Sequence, residues 1–70
     1  MNLKKEISLL EKALEAMNEK VDARTDKFDN ASEKWQEGEK GEEFSDETGT
    51  LEGLKDDLEN LIGELEDMNG

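Results

Sequence analysis

The sequence predicts an all-α fold: a two-helix antiparallel coiled-coil hairpin over residues 1–70 that dimerises into a four-helix bundle. Apolar residues follow two ladders with alternating steps of three and four residues, and a glycine-containing segment separates the ladders. Such spacing places apolar side chains on one stripe of each helix, along which two helices can pack. The first ladder consists of Leu3, Ile7, Leu10, Leu14, Met17, Val21, Arg24, Phe28, Ala31 and Trp35, and the second of Phe44, Glu47, Leu51, Leu54, Leu58, Leu61, Leu65 and Met68.

The first helix is predicted over residues 3–36. Asn2 is a favourable N-cap residue, and the ladder continues without a break to Trp35. Only Arg24 interrupts its apolar character. We therefore expect one continuous helix of about 50 Å, at 1.5 Å per residue.

A turn is predicted at residues 37–41 and the second helix at 42–68. Gly38 suits the left-handed conformation that ends many helices. Phe44 lies in register with the rest of the second ladder, which favours this early start. Polar and glycine residues at 45–50 offer later N-caps and a weak or kinked stretch, because an interior glycine costs about 1 kcal/mol relative to alanine.

The polar ladder residues Arg24 and Glu47 distinguish two registers of the hairpin. One register pairs Val21 with Leu54 and brings Arg24 within reach of Glu47. The alternative pairs Trp35 with Glu47 and separates the two charges. A charged residue in a seam is costly unless it is paired or exposed, so we expect the first register and an Arg24–Glu47 contact.

A second row of small residues on the first helix predicts self-association as a homodimer. With so few apolar residues, a single hairpin has a thin core that a second copy would complete. The alternative is that the alanines are good helix formers on a solvated surface. The predicted self-association residues are Leu9, Ala13, Ala16 and Ala23.

The composition argues against catalysis, cofactors and metal ions. The chain contains no cysteine, histidine or tyrosine, so it lacks the usual nucleophiles, bases and soft metal ligands. The EF-hand spacing also fails, because loops starting at Asp22 or Asp46 carry Lys27 or Leu51 where glycine is required. We expect no enzyme, no catalytic residue, no cofactor and no specific metal site.

The charge distribution restricts the partners. The net charge is −12; residues 1–36 carry 7 basic and 8 acidic side chains, whereas residues 37–70 carry 2 and 13. Direct binding to nucleic acid or to an anionic membrane is therefore unfavourable, and a basic protein surface is a better match. No apolar run approaches the ~20 residues of a membrane helix, and Ser8 and Glu11 argue against a signal peptide. We expect a cytoplasmic protein.

Acidic residues of the second helix form a predicted partner-binding face. Carboxylates four residues apart on a helix lie about 5–6 Å from each other, close to the spacing of phosphates along a strand. Such a face could imitate nucleic acid in a basic cleft; alternatively, it is a solvated surface that maintains solubility. The predicted residues are Glu52, Asp56, Asp57, Glu59, Glu64 and Glu66.

A second candidate surface lies at the closed end of the hairpin. All aromatic residues of the chain, Trp35, Phe28 and Phe44, converge there. They either close the seam by packing together or expose Trp35 as an anchor for a partner. The predicted apical site comprises Trp35, Gln36, Glu37 and Lys40.

Residues 28–42 read Phe-Asp-Asn-Ala-Ser-Glu-Lys-Trp-Gln-Glu-Gly-Glu-Lys-Gly-Glu. This segment resembles an element of a group of short acidic proteins from phage, prophage and plasmid genomes. Their corresponding stretch reads approximately RSEKWQESEKGEAY and precedes an acidic leucine heptad. Here Gly38 replaces a serine, and Glu43 and Phe44 replace alanine and tyrosine. The resemblance implies a helical hairpin and a mobile-element protein in a bacterial host, with the matched segment at its apex. It transfers no functional residues.

Three functions remain open from the sequence. The leading hypothesis is a non-enzymatic interaction protein that binds a partner through exposed helix faces. The second is an acidic nucleic-acid mimic that inhibits a host nucleic-acid-binding enzyme. The third is a structural helix-bundle component of a larger assembly.

Overall fold

The computed structural model describes residues 1–69, which form three helices and no strand. Helix α1 spans Lys4–Asn30, the short α2 spans Glu33–Glu37, and α3 spans Glu39–Asn69. Both α1 and α2 pack on α3, and the molecule is a rod with Cα extents of 53 × 14 × 11 Å. The predicted all-helical hairpin is confirmed; Gly70, the last residue of the predicted domain, lies outside the described residues.

The predicted helix 3–36 is divided in two. Ala31 and Ser32 adopt extended conformations, and the Ser32 hydroxyl accepts a hydrogen bond from the Trp35 amide at 3.2 Å, which caps α2. Gln36 Nε2 donates to the Phe28 carbonyl at 2.6 Å and to that of Ala31 at 3.2 Å. These bonds satisfy carbonyls that the end of α1 leaves without helical partners, so the break is stabilised from both sides.

Gly38 does not take the predicted left-handed conformation. Its dihedrals are φ −78° and ψ 173°; its amide donates to the Lys34 and Trp35 carbonyls, and its own carbonyl accepts from the Glu42 amide at 3.0 Å. Gly38 thus ends α2 and begins α3 at once. A residue that precedes a helix takes extended dihedrals, which explains the difference.

Helix α3 is continuous through the stretch 45–50, where the sequence predicts a weak or kinked segment. Thr48 Oγ1 donates to the Phe44 carbonyl at 3.0 Å, and Thr50 Oγ1 donates to the Asp46 carbonyl at 3.1 Å. Both hydroxyls therefore form their hydrogen bonds within α3, and neither threonine acts as the N-cap of a new helix.

Helix α1 uses the predicted ladder. Ile7 and Val21 are buried, and the other ladder residues from Leu3 to Trp35 are partly buried. Asn2, the predicted N-cap, lies one residue earlier than the cap position, and its Oδ1 accepts from the Lys4 amide at 3.1 Å.

Helix α3 uses only half of its predicted ladder. Phe44, Leu51, Leu58 and Leu65 are partly buried, as predicted. The intervening ladder residues are exposed: Glu47, Leu54, Leu61 and Met68. Their places in the seam are taken by the residues one position later, which are buried or partly buried: Thr48, Lys55, Ile62 and Asn69.

The register differs from the predicted one by about three residues. At the open end the Leu3 amide donates to Asn69 Oδ1 at 2.6 Å, and near the closed end Arg24 Nε donates to Thr48 Oγ1 at 2.9 Å. Counting between these two bonds places Val21 opposite Leu51, not opposite Leu54.

Gly41 gives a physical reason for this choice. A Cβ at Gly41 would collide with the Trp35 carbonyl oxygen and lie 2.7 Å from that of Gln36. Only glycine permits α3 to approach α2 so closely. Gly41 precedes Thr48 by one heptad, so this contact turns the Thr48 side of α3 toward α1.

Candidate functional site

Arg24 links the two long helices near the closed end. Its guanidinium donates to Thr48, to the Phe44 carbonyl at 3.2 Å and to Glu47 Oε2 at 3.3 Å, and it lies 4.0 Å from the centre of the Phe44 ring. The predicted Arg24–Glu47 contact is confirmed. Because the Glu47 side chain is 70% exposed, the ion pair itself contributes little, and the bonds to Thr48 and Phe44 hold the register.

The predicted apical site contains an aromatic cluster. Trp35 makes edge-to-face contacts with Phe28 at 6.1 Å and with Phe44 at 5.6 Å between ring centroids. Trp35 and Gln36 are partly buried and make internal contacts, whereas Glu37 and Lys40 are exposed. The cluster closes the seam, and a role in partner binding stays a prediction.

The hairpin has two long sides that differ in chemistry. In an antiparallel pair of helices, the residues that directly follow seam residues on one helix lie on the same long side of the pair as those that directly follow seam residues on the other. Accordingly Thr25, Ser45 and Glu52, each directly after a seam residue, line one open groove of about 250 Å³ together with Gly49. We call this long side of the rod the groove side.

The opposite side carries residues that directly precede seam residues. On α1 these include Leu9 and the three alanines of the helix, and on α3 they include Leu54, Leu61 and Met68. We call this surface the exposed apolar face. It consists of Leu9, Ala13, Ala16 and Ala23 on α1 and of Leu54, Leu61 and Met68 on α3, all of them exposed.

The exposed apolar face contains large side chains. Leu9 is 56% exposed, Leu54 55%, Leu61 45% and Met68 59%. Within the described residues, Met1 is the other large apolar side chain with such exposure. The predicted self-association residues therefore share a face with three residues that the sequence assigned to the seam.

The predicted acidic face does not form one surface. All six residues are exposed, but at 100° per residue they fall on two sides of α3. Asp57 and Glu64 border the exposed apolar face. The remaining four lie toward the groove side and are called the acidic row: Glu52, Asp56, Glu59 and Glu66.

Sequence reasoning missed the contribution of α3 to the exposed apolar face. A single three-four ladder left Ile62 outside the seam, although Ile62 is apolar and directly follows Leu61. This residue is the signal that the apolar stripe of α3 is wider than one partner helix can cover.

Two further properties concern residues 1–69 as a whole. No helix among them is both long and apolar enough to span a bilayer. Within the same residues, no group of three or more acidic side chains is arranged to hold a metal ion.

Comparisons with protein-family models, curated protein sequences and solved structures give no match.

Proposed function

We propose that this protein is a non-enzymatic interaction protein that binds a protein partner through its exposed apolar face. The observation that carries the proposal is the location of Leu9, Leu54, Leu61 and Met68 on one side of an otherwise charged rod. Apolar side chains concentrated on one surface mark interaction sites, whereas single ones are ordinary. The resemblance of residues 28–42 supports a mobile-element origin and action in the bacterial cytoplasm.

The physical basis of binding is burial of apolar area. Fully burying a leucine or methionine side chain contributes about 1.5–3 kcal/mol, and about half of each such side chain on the face is still available. Asp57 and Glu64 border the face and Lys20 lies within it, and these charges exclude partners of the wrong charge pattern. Self-association into a four-helix bundle is one form of this proposal.

A second candidate is an acidic mimic of nucleic acid that inhibits a host enzyme. The acidic row supports it, because its four carboxylates are exposed along one continuous helix. Binding would then depend on the groove side and a basic cleft. A third candidate, a structural component of a larger helical assembly, would use the exposed apolar face with several partners at once.

Affinity capture from a bacterial lysate at two salt concentrations tests these candidates. The bait is the full chain, compared with Leu54→Glu/Leu61→Glu and with Asp56→Asn/Glu59→Gln/Glu66→Gln. Raising the salt from about 0.1 M to about 1 M shortens the Debye length from about 10 Å to about 3 Å, which weakens contacts between exposed charges.

The proposal predicts that captured protein is lost with the leucine double variant and retained with the acidic-row variant and at high salt. Loss with the acidic-row variant and at high salt, with no effect of the leucine variant, would establish the mimic instead. Identical capture by all three baits would refute both. Circular dichroism of each bait verifies that the helices are retained.

A further inference from the structure

We infer that the exposed apolar face is occupied by a second copy of this chain, related by a two-fold axis parallel to the helices. In this arrangement α1 of each copy packs on α3 of the other, and the four helices form a bundle with antiparallel neighbours. The inference rests on the proposed function, because it identifies the partner of the same face.

The isolated hairpin is incomplete as a folded unit. Its accessible surface is 5374 Å², whereas a compact monomer of 7.9 kDa exposes about 4,400 Å². Its radius of gyration is 16.0 Å, against about 11 Å for a compact chain of this length. Within residues 1–69 only Ile7, Val21 and Ile62 are buried apolar side chains. A second copy would supply the missing core.

The orientation of α3 also requires a second occupant. Its seam toward α1 includes Thr48, Lys55 and Asn69, while Leu54 and Leu61 remain outside. A hairpin that folds alone would be more stable with these two leucines turned toward α1, because their burial removes apolar area from water. Their exposure is explained if α3 packs against two helices, one on each flank of the shared row Leu51–Leu58–Leu65.

The side of the rod that carries the exposed apolar face is large enough for a stable dimer. The rod is 53 Å long and 14 Å wide across its two helices. A contact along this whole side, of which the exposed apolar face is a part, approximates the ~800 Å² that each partner buries in a standard interface.

The side chains on the face are complementary under this symmetry. A two-fold axis parallel to the helices keeps every residue at its own height along the rod. The Leu3–Asn69 and Arg24–Thr48 bonds mark equal heights on α1 and α3. Leu61 of one copy therefore faces the hollow that Leu9, Ala13 and Ala16 form on the other.

The next heptad repeats this fit. Leu54 of one copy faces Ala16 and Ala23 of the other, with the aliphatic stem of Lys20 between them. The leucines of α3 therefore meet the three alanines of α1 along the interface. Alternation of large and small residues lets two helices approach and interdigitate.

Charge selects this axis over a perpendicular one. Acidic Asp57 and Glu64 border the face on α3, whereas the charges on or beside it on α1 are mixed: Lys5, Lys12 and Lys20 together with Glu6 and Glu19. An axis parallel to the helices places α3 carboxylates beside α1 lysines. A perpendicular axis would instead place α3 on α3 and bring carboxylates together, which is unfavourable.

Sedimentation equilibrium of the full chain tests the inference, with Leu61→Glu as the disrupting variant and Asn60→Glu as its control. Both variants add one negative charge at exposed neighbouring positions of α3, but only the first lies on the exposed apolar face. We expect a dimeric wild type, a dimeric Asn60→Glu variant, and at least a 100-fold weaker dimer for Leu61→Glu. Circular dichroism shows whether Leu61→Glu keeps its helices.

Cross-linking tests the symmetry. Ala16 and Asp57 lie at nearly equal height, so a mixture of the Ala16→Cys and Asp57→Cys variants should form cross-linked dimers with a short bis-maleimide. Neither variant alone should do so, because the two copies of each position lie on diagonal helices. Efficient cross-linking of Ala16→Cys alone would overturn the parallel axis.

The outcomes separate this inference from the proposed function. A monomeric wild type overturns the dimer, and the proposed function survives if captured protein is still lost with Leu54→Glu/Leu61→Glu. A dimer that Leu61→Glu leaves intact overturns the assignment of this face to the second copy. A dimer dispersed by Leu61→Glu, together with mixed cross-linking, supports the inference.

Discussion

At the residue scale, the glycines of α3 have different roles although the sequence does not distinguish them. Gly41 touches the backbone of α2, and a side chain there would collide with carbonyl oxygens of Trp35 and Gln36. Gly53 has nothing within 4 Å of where its Cβ would lie. One glycine is therefore required by a close approach, and the other only weakens its helix.

Alanine substitution separates these two roles. Gly41→Ala should lower the free energy of unfolding by about 1–3 kcal/mol, because the displaced atoms are backbone and cannot rotate away. Gly53→Ala is the matched control and should raise the free energy of unfolding by about 0.5–1 kcal/mol through helix propensity. Urea unfolding followed at 222 nm, at one protein concentration, measures both. A Gly41→Ala variant as stable as the wild type would show that α2 does not fix α3.

At the element scale, the ladders predicted the hairpin and its helix faces only in part. On α1 the large apolar residues other than Leu9 define one stripe, and that stripe is the seam. On α3 the row Phe44–Leu51–Leu58–Leu65 has apolar neighbours on both flanks, including Leu61 and Ile62. Periodicity cannot decide which flank faces α1, since that depends on the distant contact of Gly41 and on the Arg24–Thr48 bond.

The candidate site was predictable to the same extent. The α1 half of the exposed apolar face follows from the spacing of Leu9 and the alanines. Because the first ladder already fills the seam of α1, this row must lie outside the seam. The α3 half did not, because Leu54 and Leu61 fit the seam equally well by spacing alone. The apex was predicted as an aromatic cluster, but the two extended residues at 31 and 32 have no periodic signal.

Replacement of Lys55 by leucine tests which flank of α3 forms the seam. Lys55 is partly buried at the height of Met17, where its aliphatic stem packs while its ammonium reaches water. Lys55→Leu should therefore raise the free energy of unfolding by about 1 kcal/mol through apolar burial. The exposed Lys4→Leu, on the groove side and away from the exposed apolar face, is the control and should change it by less than about 0.5 kcal/mol. Equal effects in thermal unfolding would place Lys55 outside the seam.

At the scale of the whole molecule, repulsion among the carboxylates opposes the fold that apolar packing in the seam stabilises. The net charge of −12 is concentrated on α3, and the acidic row adds like charges along one side of a narrow rod. Such self-repulsion destabilises compact states. The apolar contacts of this thin core must outweigh it, and the cost falls when salt screens the charges.

Salt should therefore stabilise the protein. Raising NaCl from about 0.02 M to about 0.5 M shortens the Debye length from about 20 Å to about 4 Å. We expect a gain of about 1 kcal/mol, which corresponds to about 4–8 °C in Tm for a chain of this size. Thermal unfolding by circular dichroism at fixed protein concentration measures the change. The Glu52→Gln/Glu59→Gln/Glu66→Gln variant removes three charges of the acidic row, so it should begin with a higher Tm and respond less to salt. A Tm that falls with salt in the wild type would mean that attractive ion pairs, rather than repulsion among carboxylates, dominate the electrostatics of the hairpin.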